Sequence, residues 1–356
     1  MSIERLTKQL SDLYGSYGYS HYTMSKFEEY DLYLRNKDFL VSDRILTFTD
    51  TDGKLMALKP DVTLSIIKNT AGATSGIQKL YYNENVYRSD KNGQGFREIM
   101  QVGLECMGTV DTYCILEVLL LAVRSLKTVS DSCVLDVSHL GLVTRLLDEA
   151  GLFGTDRLLV LDAIGSKNAH EIRSICDRTG VNSNKLAELS QLSGKPKKTL
   201  TLLENIFGDV PELDQLKQLL YTLEKLGVEC VNVDFSVVND MNYYNGIVFR
   251  GFVEGIPEGV LSGGQYDNLM SKMQRSGKAI GFALYPDLLE RIVCKPEESV
   301  ETILYYDDSA DICTIASAIE KLTQGGKRIL AEPYHKNINR GPYYRLVGDE
   351  IRYIQE

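Results

Sequence analysis

The sequence predicts an α+β fold in which a mixed, mainly antiparallel sheet is flanked by helices. Three observations support this fold class. Two runs of strand-like composition flank a polar connection between Lys79 and Gly108. The segment from about 163 to 227 is rich in Lys, Glu, Ser and Leu with helical periodicity, which predicts a helical insertion. Residues 300–356 have the pattern of strand, helix and strand, which predicts a short C-terminal α/β appendix.

The second run of the central stretch, from Phe96 to Gly108, has two different faces. Because side chains alternate along a strand, one face is apolar apart from Glu98 and carries Phe96, Met100, Val102, Leu104 and Cys106. The other face carries Arg97, Ile99, Gln101, Gly103 and Glu105. A face that reads Gln, Gly, Glu offers two hydrogen-bonding groups around a gap where a small polar ligand can approach the backbone. An edge strand with one solvated face is the alternative interpretation.

Periodicity and turn residues predict the N-terminal elements. Helical spacing predicts an amphipathic helix over residues 2–17, on the evidence of Ile3, Leu6, Leu10 and Leu13. The Asp-Gly pair at 52–53 lies between two apolar runs and predicts a hairpin.

Pro60 predicts the start of the next helix, with Asp61 and Thr63 in its first turn. An acidic residue there is favoured by the helix dipole, which is a purely structural explanation for Asp61. The functional interpretation is a carboxylate placed to meet the ammonium group of a ligand. Both interpretations stay open at the level of sequence.

The middle of the chain carries clear helix boundaries. Asp111 predicts the cap of a largely buried helix that runs to Leu126. Gly151 predicts the end of the helix in a strand–turn–helix unit. Pro286 is tolerable only in the first turn of a helix, which therefore begins there.

Two glycine-containing segments lie beside tyrosines in the second half of the chain. Tyr244 shares a strand face with Gly246, which again places an aromatic group beside a gap. Gly263 and Gly264 predict a sharp turn, with Tyr266 beyond it.

Composition excludes several classes of protein. The chain has 356 residues, 44% hydrophobic and 25% charged, which is typical of globular proteins. The formal charge of −10 argues against a surface that embraces nucleic acid throughout. No apolar run approaches the roughly 20 residues that cross a bilayer, and the charged N-terminus is not a signal peptide. Seven cysteines without a CxxC pair and four scattered histidines predict free thiols, no metal site and a cytoplasmic protein.

Five motifs in order resemble the histidyl-tRNA synthetase family, whose members have a class II aminoacyl-tRNA synthetase core. The motifs are LKPDVT, VYRSDKNGQGFREIMQVGLE, MNYYNGIVF, SGGQYDNL and GFAL. The resemblance implies a class II synthetase-like core formed by 1–162 and 228–294. It also implies that 163–227 is the insertion and that 297–356 is a truncated C-terminal domain.

The resemblance implies a pocket for free histidine. In the family, the ammonium group is held by residues that match Asp61, Thr63 and Gln101, and the imidazole by residues that match Glu105 and Tyr244. The full set of implied histidine-binding residues is Asp61, Thr63, Arg88, Gln101, Glu105, Tyr243, Tyr244 and Tyr266. This set agrees with the Gln-Gly-Glu strand face, because a carboxylate accepts from an imidazole N–H and a phenol hydroxyl lies nearby. Asp61 is one methylene shorter than the family's glutamate.

The chain departs from the family where adenylate formation needs positive charge. Arg88 and Arg97 match the arginines of motif 2. The arginine that serves the α-phosphate is replaced by Asn239, and the ATP-binding arginine of motif 3 by Leu288, with Arg291 roughly one turn away. Each lost cation costs on the order of 3 kcal/mol in the transition state, so the loss of both predicts no useful synthetase. Smaller departures are Ser25, Asp90 and Gln265.

With the pocket kept, the arginines lost and the tail shortened, the chain resembles one branch of the family, the regulatory subunits of ATP phosphoribosyltransferase. This resemblance implies a non-catalytic protein without a cofactor that acts in the first step of histidine biosynthesis. The implied partners are the short-form catalytic subunit, a second copy of the chain and histidine as the feedback effector. The basic residues of the appendix, Lys327, Arg328, Lys336 and Arg340, are too few to predict RNA binding.

Two other functions remain as alternatives. One is a divergent but active histidyl-tRNA synthetase, which pyrophosphate exchange with histidine and ATP would reveal. The other is a synthetase-like module that senses tRNA or amino acids, for which tight, salt-sensitive tRNA binding would be the evidence.

Overall fold

The computed structural model describes residues 2–40, 44–70, 76–89, 95–238, 243–293, 302–324, 328–335 and 342–355. The chain divides into two compact units, Met1–Cys294 and Lys295–Glu356. Within the described ranges, no helix combines the length and the apolar character that a membrane span requires.

A large sheet forms the centre of the first unit. Among the described residues it has nine strands, which are β1 (Ser20–His21), β5 (Ile77–Ser89), β6 (Phe96–Gly108), β7 (Cys133–His139), β8 (Ser193–Gly194), β9 (Val231–Asp234), β10 (Ile247–Val253), β11 (Leu261–Gln265) and β12 (Lys278–Leu284). Their order is β1-β5-β6-β12-β11-β10-β7-β9-β8. The pairs β1–β5 and β7–β9 are parallel and the others are antiparallel, which confirms the predicted fold class.

One face of this sheet is covered by helices α1 (Ile3–Ser16) and α4 (Thr112–Val129). The apolar face of β6 packs here through Val102, Leu104 and Cys106, as its alternation predicts. Asp111 caps α4 by accepting a hydrogen bond from the Cys114 amide at 2.9 Å. The predicted helix at the N-terminus and the predicted cap are both confirmed.

The other face of the sheet carries a smaller layer. Among the described residues this layer contains a three-stranded sheet in the order β2-β4-β3. Its elements, with the short helices around them, are β2 (Phe27–Glu29), α2 (Tyr30–Arg35), a 3₁₀ turn (Lys37–Phe39), β3 (Thr47–Thr49), β4 (Leu55–Leu58), α3 (Thr63–Asn69) and α11 (Asp267–Lys272). The predicted Asp-Gly hairpin is the β3–β4 pair, with Gly53 at φ +85°. Between this layer and the large sheet lies the second apolar cluster of the unit.

Helix α3 begins three residues later than the sequence predicts. Pro60 and Asp61 precede the helix, which starts at Thr63. Asp61 still serves the helix end, because its Oδ1 accepts a hydrogen bond from the Leu64 amide at 2.8 Å.

The predicted turn at Gly263 and Gly264 is wrong, because both glycines lie inside strand β11. Gly263 pairs with Phe282 of β12 and with Phe249 of β10, so the strand is interior to the sheet. A Cβ at Gly264 would lie 2.8 Å from the Tyr244 ring. The glycines are therefore required for close approach and not for a change of chain direction.

A run of helices connects β7 to β9. These helices are α5 (Leu140–Glu149), α6 (Gly154–Gly165), α7 (Ala169–Thr179), α8 (Asn184–Gln191), α9 (Pro196–Phe207) and α10 (Pro211–Lys225). Gly151 follows α5 at φ +68°, as predicted for a helix end. The helical segment differs from the predicted 163–227 in two respects: α6 crosses the predicted boundary, and β8 adds a short strand to the large sheet.

The remaining elements close each unit. Helix α12 (Pro286–Val293) starts at Pro286, as predicted. The second unit contains β13 (Thr302–Tyr306), α13 (Ile312–Gln324), β14 (Ile329–Pro333), β15 (Tyr343–Val347) and β16 (Glu350–Ile354). Among its described residues, four strands form a sheet in the order β14-β13-β15-β16. The appendix is thus a parallel α/β unit extended by one antiparallel hairpin.

Candidate ligand pocket

A cavity of about 270 Å³ opens between the small layer and the polar face of β6. Its size suits a ligand smaller than a drug-sized molecule. All eight residues implied by the family resemblance line it: Asp61, Thr63, Arg88, Gln101, Glu105, Tyr243, Tyr244 and Tyr266. They come from β5, β6, the start of α3 and the segments before β10 and after β11. The fold therefore brings together residues that lie up to about 200 positions apart in the sequence.

Glu105 is the centre of the pocket's hydrogen bonds. Its Oε1 accepts from the Thr63 hydroxyl at 2.7 Å and its Oε2 from the Tyr266 hydroxyl at 2.5 Å. Burial raises the pKa of Glu105 to about 8, against the lowering effect of these two hydrogen bonds. A carboxylate offers about four lone-pair positions. Two of them therefore remain for a ligand N–H.

The residues implied for an ammonium group are already engaged in part. Thr63 donates its hydroxyl proton to Glu105, and Asp61 Oδ1 accepts from the Leu64 amide. The second carboxylate oxygen of Asp61 lies 3.9 Å from Nη2 of Arg88. Burial raises the pKa of Asp61, while the nearby Arg88 charge acts to lower it. One oxygen of Asp61 therefore serves the helix end, as the structural interpretation predicts, and the other oxygen faces Arg88 in the cavity.

Arg88 is held in place by the backbone. Its Nε donates to the Pro60 carbonyl at 2.8 Å, which fixes the guanidinium beside Asp61. Gln101 is buried on the adjacent strand and lines the same cavity. Among the described residues that line it, the pocket therefore has one cation, a carboxyl pair and a side-chain amide, which together suit a small zwitterion.

Three tyrosines form an aromatic wall. The ring centroids of Tyr243 and Tyr244 lie 4.7 Å apart, and those of Tyr243 and Tyr266 lie 5.9 Å apart. Their interplanar angles of 65° and 55° are edge-to-face or tilted arrangements that aromatic rings prefer. This wall provides an apolar surface for a planar ligand group with hydroxyls beside it.

The space predicted over Gly103 is occupied by Tyr82, which the sequence analysis missed. A Cβ at Gly103 would lie 2.6 Å from the Tyr82 hydroxyl oxygen. Tyr82 pairs with Gly103 across β5 and β6, so its position opposite the glycine was a usable signal. Likewise, a Cβ at Gly246 would collide with the Gln265 side chain. Both glycines make room for side chains of the protein, and the room for a ligand lies farther out in the cavity.

Other residues that sequence reasoning missed complete the wall. Gly281 of β12 faces Glu105, and a Cβ there would collide with the Glu105 carboxylate. The Tyr285 and Ser262 hydroxyls are hydrogen-bonded at 2.9 Å. The other lining residues that were not predicted are Phe39, Leu40, Tyr82, Phe282 and Ala283.

The motif 3 position provides no cation near this cavity. Leu288 stands there, 38% exposed, and Oδ2 of Asp287 accepts from the Met100 amide at 2.8 Å. Gln265, where the family has an arginine, is buried, and its Oε1 accepts a hydrogen bond from the Ile247 amide at 2.8 Å. This side chain therefore stabilises the backbone and supplies no positive charge. Asn239, Asp90 and the side chain of Arg291 lie outside the described residues, as do Lys327, Lys336 and Arg340.

The part of the chain that the structure describes holds no cluster of His, Cys, Asp and Glu suited to a metal. The cysteines of the same ranges are free thiols, in agreement with the sequence analysis.

The family pattern of histidyl-tRNA synthetase matches residues 1–289. The chain belongs to the histidyl-tRNA synthetase family. The ATP phosphoribosyltransferase regulatory subunit of Oceanobacillus iheyensis is 26% identical over 341 residues, which cover 92% of this chain and 83% of that protein. This finding confirms the predicted branch of the family and supports the function of a regulatory subunit of ATP phosphoribosyltransferase, which is not itself the enzyme.

Solved structures show the same fold. An ATP phosphoribosyltransferase regulatory subunit/histidyl-tRNA synthetase from Bacillus halodurans C superimposes with a TM-score of 0.81 at 23% identity, over 95% of this chain and 90% of that one. A chain of the ATP phosphoribosyl transferase (HisG:HisZ) complex from Thermotoga maritima has a TM-score of 0.63 at 20% identity, over 79% and 96%. At these identities the structures support the class II synthetase-like fold alone.

Proposed function

We propose that this chain binds free histidine in the Glu105 pocket and, as a non-catalytic subunit, controls a short-form ATP phosphoribosyltransferase catalytic subunit. The observation that supports the proposal is a cavity lined by all eight residues that the family resemblance implies, in a chain whose motif 3 position carries no cation. Glu105 is buried with two donors on its oxygens, whereas Leu288 replaces the ATP-binding arginine.

The pocket chemistry favours histidine over other amino acids. The free lone pairs of Glu105 accept an imidazole N–H, and the tyrosine wall packs against the planar ring. At the other end, Arg88 attracts the ligand carboxylate, while Gln101 and Asp61 meet the ammonium group.

A ligand pocket without chemistry is useful to an assembly when the ligand binds two states of that assembly with different affinity. The relative from Oceanobacillus iheyensis is named as a regulatory subunit, and the Thermotoga maritima chain was solved as part of an ATP phosphoribosyl transferase complex. Partnership with the catalytic subunit is therefore the arrangement we propose for this chain.

A second copy of the chain is the other proposed partner. The small sheet exposes Phe27 of β2 and Phe48 of β3, whose ring centroids lie 5.4 Å apart. Exposed apolar groups of this kind on one face of a sheet favour a protein interface. We assign this surface to self-association.

The decisive experiment compares histidine binding in matched variants. Histidine should raise the unfolding temperature of the wild-type protein. Glu105→Gln should weaken binding about tenfold or more, because the side-chain amide has one acceptor oxygen fewer for the imidazole N–H. Glu98→Gln changes an exposed residue on the same strand and should bind like the wild type. Equal histidine shifts in all three proteins would refute the pocket assignment.

The assembly is tested separately. Mixing with a short-form catalytic subunit should give a complex on a sizing column and raise phosphoribosyltransferase activity, and histidine should lower that activity. Measurable pyrophosphate exchange with histidine and ATP would instead support a divergent synthetase.

A further inference from the structure

Two cysteines lie side by side where strands β7 and β9 begin. Cys133 is the first residue of β7, and Cys230 directly precedes β9. The two strands are parallel with Leu135 opposite Val231, and the Leu135 amide donates to the Cys230 carbonyl at 2.8 Å. The cysteines are therefore one residue out of step on neighbouring strands.

This placement suits a disulfide bond. Neighbouring strands lie about 4.8 Å apart and each residue advances about 3.3 Å along its strand, so the two Cα atoms of such a diagonal pair are about 6 Å apart. Disulfides join Cα atoms that are roughly 4.4 to 6.8 Å apart. The side chains of Cys133 and Cys230 are already in hydrogen-bond contact. The sheet thus holds both sulfurs within reach of each other.

Exposure distinguishes this pair from a second pair of neighbouring thiols. Cys133 and Cys230 are both partly exposed. Cys106 and Cys114 are also in side-chain contact, but they are only 0% and 2% exposed. A small oxidant in solution can therefore reach the first pair in the folded protein, whereas the core encloses the second.

The two thiols of the exposed pair differ in their surroundings. Burial and the neighbouring Cys230 raise the pKa of Cys133 to about 12, against the lowering effect of the Lys127 charge and with a further rise from Asp131. Cys133 therefore keeps its proton and can donate it towards the Cys230 sulfur. A thiolate is the nucleophile in thiol oxidation, so Cys230 is the residue of the pair that reacts first.

We propose that Cys133 and Cys230 are a modification site, at which a peroxide converts the two thiols into a reversible disulfide. The Cys230 sulfur attacks one oxygen of the peroxide, the O–O bond breaks, and a sulfenic acid and one water form when hydrogen peroxide is the oxidant. The Cys133 sulfur then attacks the sulfenic sulfur, the S–S bond forms and a second water leaves. The dithiol loses two electrons and two protons, and a dithiol reductant restores it by exchange.

The bond would connect the starts of β7 and β9 across the helical segment. Helices α5 to α10 lie in the chain between the two cysteines, so the disulfide closes a loop of about 100 residues. A loop of this length restricts the unfolded chain, and the oxidised protein is therefore the more stable form. Neither cysteine lines the histidine pocket, so the response to histidine stays unchanged.

The test uses the full-length protein with Cys313→Ser, because Cys313 is exposed and can link two chains. The folded protein is treated with hydrogen peroxide, its remaining thiols are alkylated after denaturation, and a non-reducing digest is analysed by mass spectrometry. We expect a peptide pair joined through Cys133 and Cys230 that dithiothreitol separates. The unfolding temperature should rise by roughly 5 °C on oxidation. Adding Cys230→Ser should remove both the joined peptides and the rise.

The buried pair is the control in the same digest. Cys106 and Cys114 should be recovered alkylated from the folded protein, and joined peptides from this pair would show that oxidation follows unfolding, which overturns the proposal. Oxidation of Cys133 or Cys230 to sulfinic acid without a joined peptide also overturns it, as does a joined peptide with no change in unfolding temperature for the predicted stabilisation. A wild-type histidine shift in the oxidised protein keeps this test separate from that of the proposed function.

Discussion

Tyr266 donates a hydrogen bond to Glu105 at 2.5 Å, across a separation of 161 residues. Thr63 donates to the other oxygen of the same carboxyl group. The pocket therefore holds its acidic group in position before any ligand arrives. Such preorganisation reduces the ordering cost of binding.

Glu105 should make the stability of the protein depend on pH. Its pKa is about 8 in the folded protein, against an ordinary value of 4.5. Because the folded pKa is raised, stability from the protonated carboxyl is fully present below about pH 4.5 and is lost as pH rises towards 8. The difference corresponds to on the order of 5 kcal/mol. Glu105→Gln should remove this loss.

The measurement is urea unfolding of both proteins at pH 5 and pH 8.5. The variant should be the more stable of the two at pH 8.5 and similar to the wild type at pH 5. Glu98→Gln, at an exposed site of the same strand, is the control. Parallel pH profiles for wild type and Glu105→Gln would contradict the buried acid.

Tyr266→Phe should affect both stability and binding. The change removes the hydroxyl that donates to Glu105 and leaves a buried acceptor with one donor fewer, at a cost of about 1–3 kcal/mol. Histidine affinity should fall as well, since the carboxyl loses its orientation. Urea unfolding and calorimetry measure the two effects, with Tyr221→Phe at an exposed site as the control. A variant with unchanged affinity would show that Tyr266 does not position Glu105.

Gly281→Ala should abolish histidine binding. The added Cβ collides with the Glu105 carboxylate and lies 2.5 Å from the Leu104 carbonyl oxygen, so β12 or β6 must shift. The expected loss of stability is about 1–3 kcal/mol. At Gly95 a Cβ meets nothing within 4 Å, so Gly95→Ala is the matched control. Thermal shift with histidine checks both variants, and normal binding in Gly281→Ala would exclude the crowding that we describe.

Lys59 should be required for folding. Its Nζ lies 2.5 Å from Oε2 of Glu84, and its side chain is only 1% exposed. Lys59→Met should cost about 3–5 kcal/mol, because Glu84 keeps a buried charge without its cation. Adding Glu84→Leu should recover part of that loss. A double-mutant cycle by urea unfolding measures the coupling, and additive losses would argue against it.

The exposed pair Lys54–Glu29 provides a comparison for that cycle. Its atoms lie 3.5 Å apart and both side chains are more than half exposed. Lys54→Met should cost less than about 1 kcal/mol.

Phe48→Asp should shift the protein towards monomers. Phe48 stacks edge-on against Phe27 on the exposed face of the small sheet, which we assign to self-association. A charge buried in an interface without a partner opposes association. Sedimentation velocity over a range of concentrations measures the change, with Tyr221→Asp on α10 as the control. An unchanged sedimentation profile would place the self-association surface elsewhere.

Much of the fold was predictable because its signals are local. The spacing of Leu6 and Leu10 predicts α1, and the position of Asp111 predicts the start of α4. The alternation in β6 predicts that Val102 and Gln101 lie on opposite faces. The structure places Val102 in the core and Gln101 in the pocket wall. The resemblance to a family supplied the remaining residues of the candidate pocket.

The glycines show where local reasoning fails. Sequence neighbours do not reveal that Gly263 and Gly264 run through a sheet interior, or that Tyr82 fills the space over Gly103. Both features depend on which strands pair. Pairing is decided by packing between distant segments.

By itself, the sequence determined the elements, the polar face of β6 and the loss of the motif 3 arginine, since periodicity, caps and residue identity are properties of short segments. Only the tertiary structure decided the state of the pocket. It brought Thr63 and Tyr266 onto opposite oxygens of Glu105 and buried all three, and burial is what raises the pKa of that carboxyl. Desolvation of a side chain depends on all the residues that pack around it in the folded protein, and most of these residues are distant in the sequence.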